Sequence, residues 1–329
     1  HTFYKKEATA QQPATSKEEG NLVAFSGPDF KATFDKQSGL LTSYLYKKHE
    51  YILNGQGPRP FFWRAPTDND YGANLPVRLK AWKEASYQEP KAESFQVTPG
   101  SNATTIKVTY RFPQTDARWD ITYKIYASGV IKVDNRFVAE GDQAPMIPRV
   151  GLRMQLPESF TDLTYYGRGP KENYRDRRTS QFIGEYAIPV KDMYEPYVRP
   201  QENNHRTDIY WCALTDKTQR GLLLIADRTF ELNASNYPLE SMDSGDTIDN
   251  GAPRTEKTHH RHLTDPLPEK MVDLFIDYRM MGVGGDDSWG ATAHEPYLIR
   301  PGKENAIEYG FSLVPFDKKE DYKYLIRQY

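Results

Sequence analysis

The chain has 329 residues, 43 Lys and Arg against 45 Asp and Glu, and a single cysteine, Cys212. A near-neutral charge without basic runs argues against nucleic acid or a membrane surface as partner. One cysteine rules out an internal disulfide and C-x-x-C metal or redox sites.

Residues 1–20 are polar, with few apolar anchors, and read as a linker or the tail of a preceding domain. The chain begins at His1 with no charged-then-apolar leader, which reads as a fragment or processed product. From Asn21 the pattern becomes strand-like. Phe30-Lys31-Ala32-Thr33-Phe34-Asp35, then Gln37-Ser38-Gly39, then Leu40-Leu41-Thr42-Ser43-Tyr44-Leu45-Tyr46 predict a hairpin. Leu79-Lys80-Ala81-Trp82-Lys83-Glu84-Ala85 has room for a turn or two of helix. Ile106, Val108, Tyr110 and Phe112 alternate with polar residues, and so do Trp119, Ile121, Tyr123 and Ile125. Ala127-Ser128-Gly129 turns the chain into residues 130–138. Leu152, Met154 and Leu156 keep the same period, as do Val272, Leu274, Ile276 and Tyr278, and later Ile307, Tyr309, Phe311 and Leu313. Period two with one polar face predicts antiparallel sheet packed on one side.

Cys212 lies in the apolar run Ile209-Tyr210-Trp211-Cys212-Ala213-Leu214 and reads as a small buried hydrophobe. Gly221-Leu222-Leu223-Leu224-Ile225-Ala226 is the longest apolar run. It is far short of the roughly 18 residues of a membrane span and reads as a buried strand. Residues 317–329 are charged, with Tyr324, Leu325 and Tyr329 as apolar positions, and read as a C-terminal extension with room for a short helix. With 23 Tyr, 15 Phe and 5 Trp among many short alternating runs, the fold class expected is all-β, a very large antiparallel sandwich spanning residues 21–316 as one domain.

Three stretches without clear periodicity, 57–78, 165–206 and 240–262, carry the distinctive residues. Loops of that length in a compact domain are usually functional or form interfaces. Further on, Gly284-Gly285-Asp286-Asp287-Ser288-Trp289 is a flexible acidic turn ending in a large aromatic ring. Two adjacent carboxylates are costly to bury, so the turn faces water or a ligand. Trp289 then either folds back onto the sheet or offers its flat face and one N–H to a sugar. On a strand His260 and His262 would face one side, enough for half a zinc site, but no third ligand cluster is in view and a structural role or an alkali-ion neighbourhood is the favoured reading.

The long stretches resemble one family. Arg64-Ala65-Pro66-Thr67-Asp68-Asn69-Asp70-Tyr71-Gly72 is similar to the R-A-P-x-D-N-D-x-G signature of the large bacterial β-galactosidases of glycoside hydrolase family 2. Tyr166-Gly167-Arg168-Gly169-Pro170-Lys171-Glu172-Asn173-Tyr174-Arg175-Asp176-Arg177 resembles their G-x-G-P-x-E-N-Y-x-D-R segment. Asp192-Met193-Tyr194-Glu195-Pro196-Tyr197-Val198-Arg199-Pro200-Gln201-Glu202-Asn203 resembles their D-x-Y-x-P-Y-x-x-P-x-E-N segment. His260-Arg261-His262-Leu263 and Gly282-Val283-Gly284-Gly285-Asp286-Asp287-Ser288-Trp289 complete the series in the family's order.

The resemblance is to the family's C-terminal domain, and it implies a galactose-mutarotase-like sandwich. The two glutamates of a retaining glycosidase and its magnesium ligands would then sit in a preceding TIM barrel. No catalytic residue and no metal or other cofactor are expected in this chain; magnesium, and sodium besides, are expected in the intact enzyme. By the same resemblance Trp289 stacks on substrate sugar, with Asp286 and Asp287 beside it. Asp68, Asn69, Asp70 and Gly72 form a loop at the active site. Pro76 departs from better-known members and stiffens that loop. Arg64, Glu172, Asn173, Asp176 and Arg177 hold structure, with Arg64, Asp68, Asp70, Arg175, Asp176 and Arg177 read as an ion-pair network. The partners implied are the catalytic barrel, a β-galactoside and other subunits of the intact enzyme. Bacterial cytoplasm and periplasm both stay open. A mutarotase-like epimerase and a stand-alone carbohydrate-binding module are the competing functions. The epimerase needs a His/Glu acid–base pair, which His205, His260, His262 and His294 do not form with any Glu by sequence spacing.

Overall fold

A computed structural model describes residues 12–139, 146–245, 262–287, 290–300, 302, 306–318 and 322–328. Among these every strand pairing is antiparallel, in two sheets. The smaller sheet is a five-stranded meander: β1 (Thr15–Glu19), β2 (Leu22–Ser26), β3 (Phe30–Asp35), β4 (Leu41–Tyr46) and β5 (His49–Glu50). The larger has twelve strands. They are β6 (Arg59–Phe61), β7 (Ala92–Thr98), β8 (Thr104–Phe112), β9 (Ala117–Ile125), β10 (Ile131–Ala139) and β11 (Arg149–Pro157). Then come β12 (Asp162–Gly169), β13 (Phe182–Pro189), β14 (Arg206–Thr215), β15 (Gly221–Ser235), β16 (Met271–Met280) and β17 (Ile307–Phe316). Its main path runs β13-β12-β14-β15-β17-β10-β9-β8-β7.

The fifteen-residue β15 makes the sheet branch. Gly221 to Ala226 pair with β17, while Glu231 to Ser235 pair with β16, which leads on to β11 and β6. Aromatic side chains fill the space between the layers. Phe34 of the small sheet meets Tyr123 of β9 edge-to-face at 5.0 Å. Phe62, just after β6, packs on Phe112 at 4.9 Å, Trp119 at 5.5 Å and Phe137 at 5.4 Å. Edge contacts of this kind satisfy the ring quadrupoles better than face-to-face stacks.

Two strands lie where no apolar alternation predicts them. All five side chains of β1 are exposed, so Thr15–Glu19, expected in a linker, are held by ladder bonds to β2 and by polar contacts such as Glu18 with Lys36 at 2.9 Å. Likewise β13 is an edge strand with only partly covered side chains, inside a stretch read as irregular. A one-sided pattern was also expected for β11 and β16. Instead Asp273, Phe275 and Asp277, which point away from Leu274 and Ile276, are buried as well.

Three helices fill residues 68–87: α1 (Asp68–Gly72), α2 (Leu75–Arg78) and α3 (Lys80–Tyr87). Helix α3 buries Trp82, Ala85 and Ser86, the i, i+3, i+4 stripe of an amphipathic helix. A further helix, α4 (Tyr322–Ile326), lies in the C-terminal extension. No helix among the described residues is long and apolar enough to cross a membrane.

Candidate functional site

Residues 64–72, 172–177 and 281–284 converge. Thr67 caps α1: its hydroxyl accepts from the Asp70 amide (3.1 Å), and Asp70 Oδ2 accepts from the Thr67 amide (3.0 Å). This reciprocal box satisfies helix donors that would otherwise be left open. The same Asp70 carboxylate takes both arms of Arg64, Nε at 2.9 Å and Nη2 at 2.7 Å. The remaining guanidinium donors reach the carbonyls of Met281 (2.7 Å) and Gly282 (3.1 Å). Asn69 Nδ2 donates to the Val283 carbonyl at 3.1 Å. Asp176 accepts the amides of Val283 (3.2 Å) and Gly284 (2.8 Å). A Cβ on Gly290 would stand 3.2 Å from the Gly72 carbonyl. The stem of the acidic turn is thereby fastened to both α1 and the 172–177 loop.

Asp68 is exposed and pairs with Arg199 (3.2 Å) and Gln201 (3.1 Å). Glu172 accepts the Asn204 amide at 2.7 Å and also receives Arg177 and the Tyr197 hydroxyl. Asn173 is fully buried and fully engaged. Its Nδ2 donates to the Arg168 and Lys171 carbonyls, each at 3.0 Å, and its Oδ1 accepts from the Thr207 amide (3.0 Å) and hydroxyl (2.6 Å). One part of the expected ion-pair network is corrected. Asp176 binds backbone amides, not an arginine, because two successive N–H groups of the glycine turn point at it. Asp286 and Asp287 are exposed; Asp286 pairs with His294 at 2.8 Å and Asp287 accepts the Ala291 amide at 3.2 Å. Trp289 and His260 lie outside the described residues. His262 is exposed, and among the described residues no group of three His, Cys, Asp or Glu is placed to hold a metal. Cys212 is buried in β14, and burial pushes its thiol pKa up.

A second cluster, not expected from the sequence, adjoins this one. Arg149, His205 and Asp277 are 0% exposed, and Glu202, Glu231 and Asn233 are also buried. His205 bonds Glu231 through Nε2 (2.9 Å) and Asn233 through Nδ1 (2.6 Å). Tyr174 stacks on its ring at 5.4 Å. Arg149 reaches Glu202 (3.2 Å) and Asn233 (3.3 Å), and lies over the Phe275 ring at 4.1 Å. Glu202 in turn accepts the Ala65 amide at 3.2 Å, which joins the two clusters. A Cβ on Gly151 would stand 1.8 Å from Asp277 Oδ1 and 2.9 Å from its Cα, so only glycine fits there. The one hint in the sequence is Phe275 between Asp273 and Asp277, an apolar residue on a face that would otherwise read as solvated.

Arg149 Nε lies 3.2 Å from Asp277 Oδ2, but without the alignment of a hydrogen bond. Burial therefore pushes the Asp277 pKa up to about 7; Arg149 and His205 oppose this, while Glu231 and Glu202 add to it. Burial acts to lower the His205 pKa, but the Glu231 hydrogen bond and charge outweigh it, and the net shift is upward. Both shifts have one sign. A folded state that holds protons the unfolded chain has released loses stability as pH rises. For Asp277 that loss falls between its unfolded value of about 4 and its folded value of about 7. Asp277→Asn is expected to remove this component. The variant-minus-parent unfolding free energy should rise by a few kcal/mol from pH 4 to pH 8 in urea titrations. A difference that stays constant with pH would contradict the assignment.

The family described as "Beta galactosidase small chain" matches residues 26–313. A β-galactosidase of Priestia megaterium is 33% identical over 291 residues, covering 88% of this chain and 26% of that protein. One from Lactobacillus delbrueckii subsp. bulgaricus is 32% identical over 308 residues, covering 91% of this chain and 28% of that protein. The chain thus spans about a quarter of these relatives. In fold it is similar to galactose 1-epimerase from Lactobacillus acidophilus, with a TM-score of 0.51 at 6% identity, covering 94% of this chain and 99% of that one.

Proposed function

The chain belongs to the beta-galactosidase small-chain family, and from that premise we propose that it is the C-terminal sandwich of a β-galactosidase, completing the sugar site of a catalytic barrel carried elsewhere. The barrel supplies the acid and the nucleophile of a retaining glycosidase, together with the magnesium and sodium sites. This chain supplies an aromatic platform, Trp289, with Asp286 and Asp287 beside it and the Asp68–Gly72 segment as the adjoining wall. The observation that carries the reading is the fastening of the acidic turn. Arg64, Asn69 and Asp176 each bond the backbone of residues 281–284, so the segment leading to position 289 starts from a fixed base. Holding a platform in place before substrate arrives reduces the entropy lost on binding.

The His205–Glu231 pair at 2.9 Å favours the epimerase as a second reading. It is the weaker of the two, because His205 is fully buried and both its ring nitrogens are engaged. A general acid or base must reach the proton it moves.

In the enzyme assembled with its catalytic part, Trp289→Ala is expected to lower kcat/KM for a β-galactoside by about tenfold to a hundredfold. That corresponds to the roughly 1–3 kcal/mol of burying a large apolar side chain. The melting temperature should not change. Unaltered kcat/KM in a correctly assembled enzyme would refute the platform.

A further inference from the structure

We propose that the cavity on the outer face of the twelve-stranded sheet is a second ligand site, built for an acidic, carboxylate-bearing sugar. It is a half-open hollow of about 1020 Å³, at the upper end of the roughly 300–1,000 Å³ of ligand pockets and ample for a disaccharide. Its walls are polar, with the hydroxyls of Thr109, Thr122 and Thr229 among charged side chains. The carboxylates that line it already have partners. Asp120 pairs with Arg118 (2.9 Å), Asp134 with Lys132 (3.3 Å), Asp208 with Arg178 (2.9 Å) and Glu308 with Arg136 (3.5 Å). Asp227 is held by Lys132, and Glu231 by His205.

The lining arginines are not all matched in this way. Arg228 and Arg279 make no ion pair with any described residue. Among the described residues Arg175 has only Glu231 Oε1, at 3.8 Å and beyond hydrogen-bond reach, while Oε2 of that carboxylate takes His205 and the Met280 amide. The Arg279 guanidinium lies over the Tyr278 ring at 4.8 Å, which restrains it. Burial lowers the Arg175 pKa; Glu231 opposes this, and the charges of Arg279 and Arg178 reinforce it. A cavity with surplus guanidiniums lacks an anion. A guanidinium fork matches a planar carboxylate through paired, charge-assisted hydrogen bonds, while the threonines and paired charges suit sugar hydroxyls. A neutral sugar would offer the guanidiniums no counter-charge. The proposal does not depend on the function proposed above.

The test is calorimetric titration of the purified chain at low salt with digalacturonate, with lactose as the neutral match and sodium sulfate as a bare anion. Saturable binding of digalacturonate is expected, weakened about tenfold by Arg279→Gln and likewise by Arg228→Gln. Lactose should not displace it. Arg228 is exposed, so its replacement should leave the melting temperature unchanged and separate lost binding from lost fold. Three results would overturn the proposal: no saturable binding, equal affinity in parent and both variants, or sulfate binding as tightly as digalacturonate.

Discussion

Replacing Arg149 with alanine is expected to destabilise the domain by about 3–5 kcal/mol, the cost of leaving buried charge without its partner. Arg149 is the counter-charge for Glu202 at 3.2 Å and Asp277 at 3.2 Å, with Glu231 paired across the strands to Asp277. Its guanidinium also covers Phe275 at 4.1 Å, so some loss comes from packing. Arg149→Met separates the two contributions. It restores most of the volume and none of the charge, and should recover only a minor share of the loss. Adding Asp277→Asn to Arg149→Met should restore stability, because one uncompensated carboxylate is removed along with its partner. Urea unfolding of the single and double variants measures each term. A loss below about 1 kcal/mol for Arg149→Ala would mean that the buried carboxylates are neutral in the parent protein.

Arg64→Ala is expected to have a comparable effect, about 3–5 kcal/mol, with a more local signature. The variant strands the Asp70 carboxylate and leaves the Met281 and Gly282 carbonyls without the donors they now have at 2.7 and 3.1 Å. Buried acceptors left unpaired cost roughly 1–3 kcal/mol each. Of the side chains that fasten the stem of the acidic turn, Asn69 and Asp176 would remain, beside the backbone bonds of Met281 to Pro148 and of Gly282 to Tyr297. Faster amide exchange at Val283 and Gly284 should therefore accompany the loss of stability. Arg64→Lys keeps a charge but cannot bind Asp70 through two donors and both carbonyls at once. It should recover less than half of the loss. Unchanged exchange at Val283 would argue that Asp176 alone secures the turn.

The strands that pack on the core were legible in the sequence because half of their residues face an apolar interior. Ile106 to Phe112 and Trp119 to Ile125 show the alternation directly, and the structure pairs them as β8 and β9. Strands β1 and β13 could not be read that way. They sit at sheet edges and bury little, so backbone bonds form them without an apolar signature. The 64–72, 166–177, 192–203 and 282–289 segments stood out through their resemblance to a family.

The buried charge cluster did not stand out. A charged residue at an alternate position reads as solvated, and only the folded chain lays the 165–206 stretch over that face. Nor could the His205–Glu231 contact be counted out from the turn between β14 and β15. Register shifts between Arg206 and Ile209, and between Ile209 and Trp211, break the one-to-one pairing before it reaches His205. Each such irregularity changes which side chains lie opposite each other.

The central claim is that this chain completes a sugar site and does not itself carry out chemistry on the sugar. Proton NMR of freshly dissolved α-lactose, with the purified chain and with buffer alone, tests it most directly. The expected result is an unchanged rate of anomer exchange and no free galactose. Release of galactose would mean that the chain contains a complete hydrolytic site, and faster anomer exchange without hydrolysis would assign the His205–Glu231 pair to epimerase chemistry; either would contradict the account.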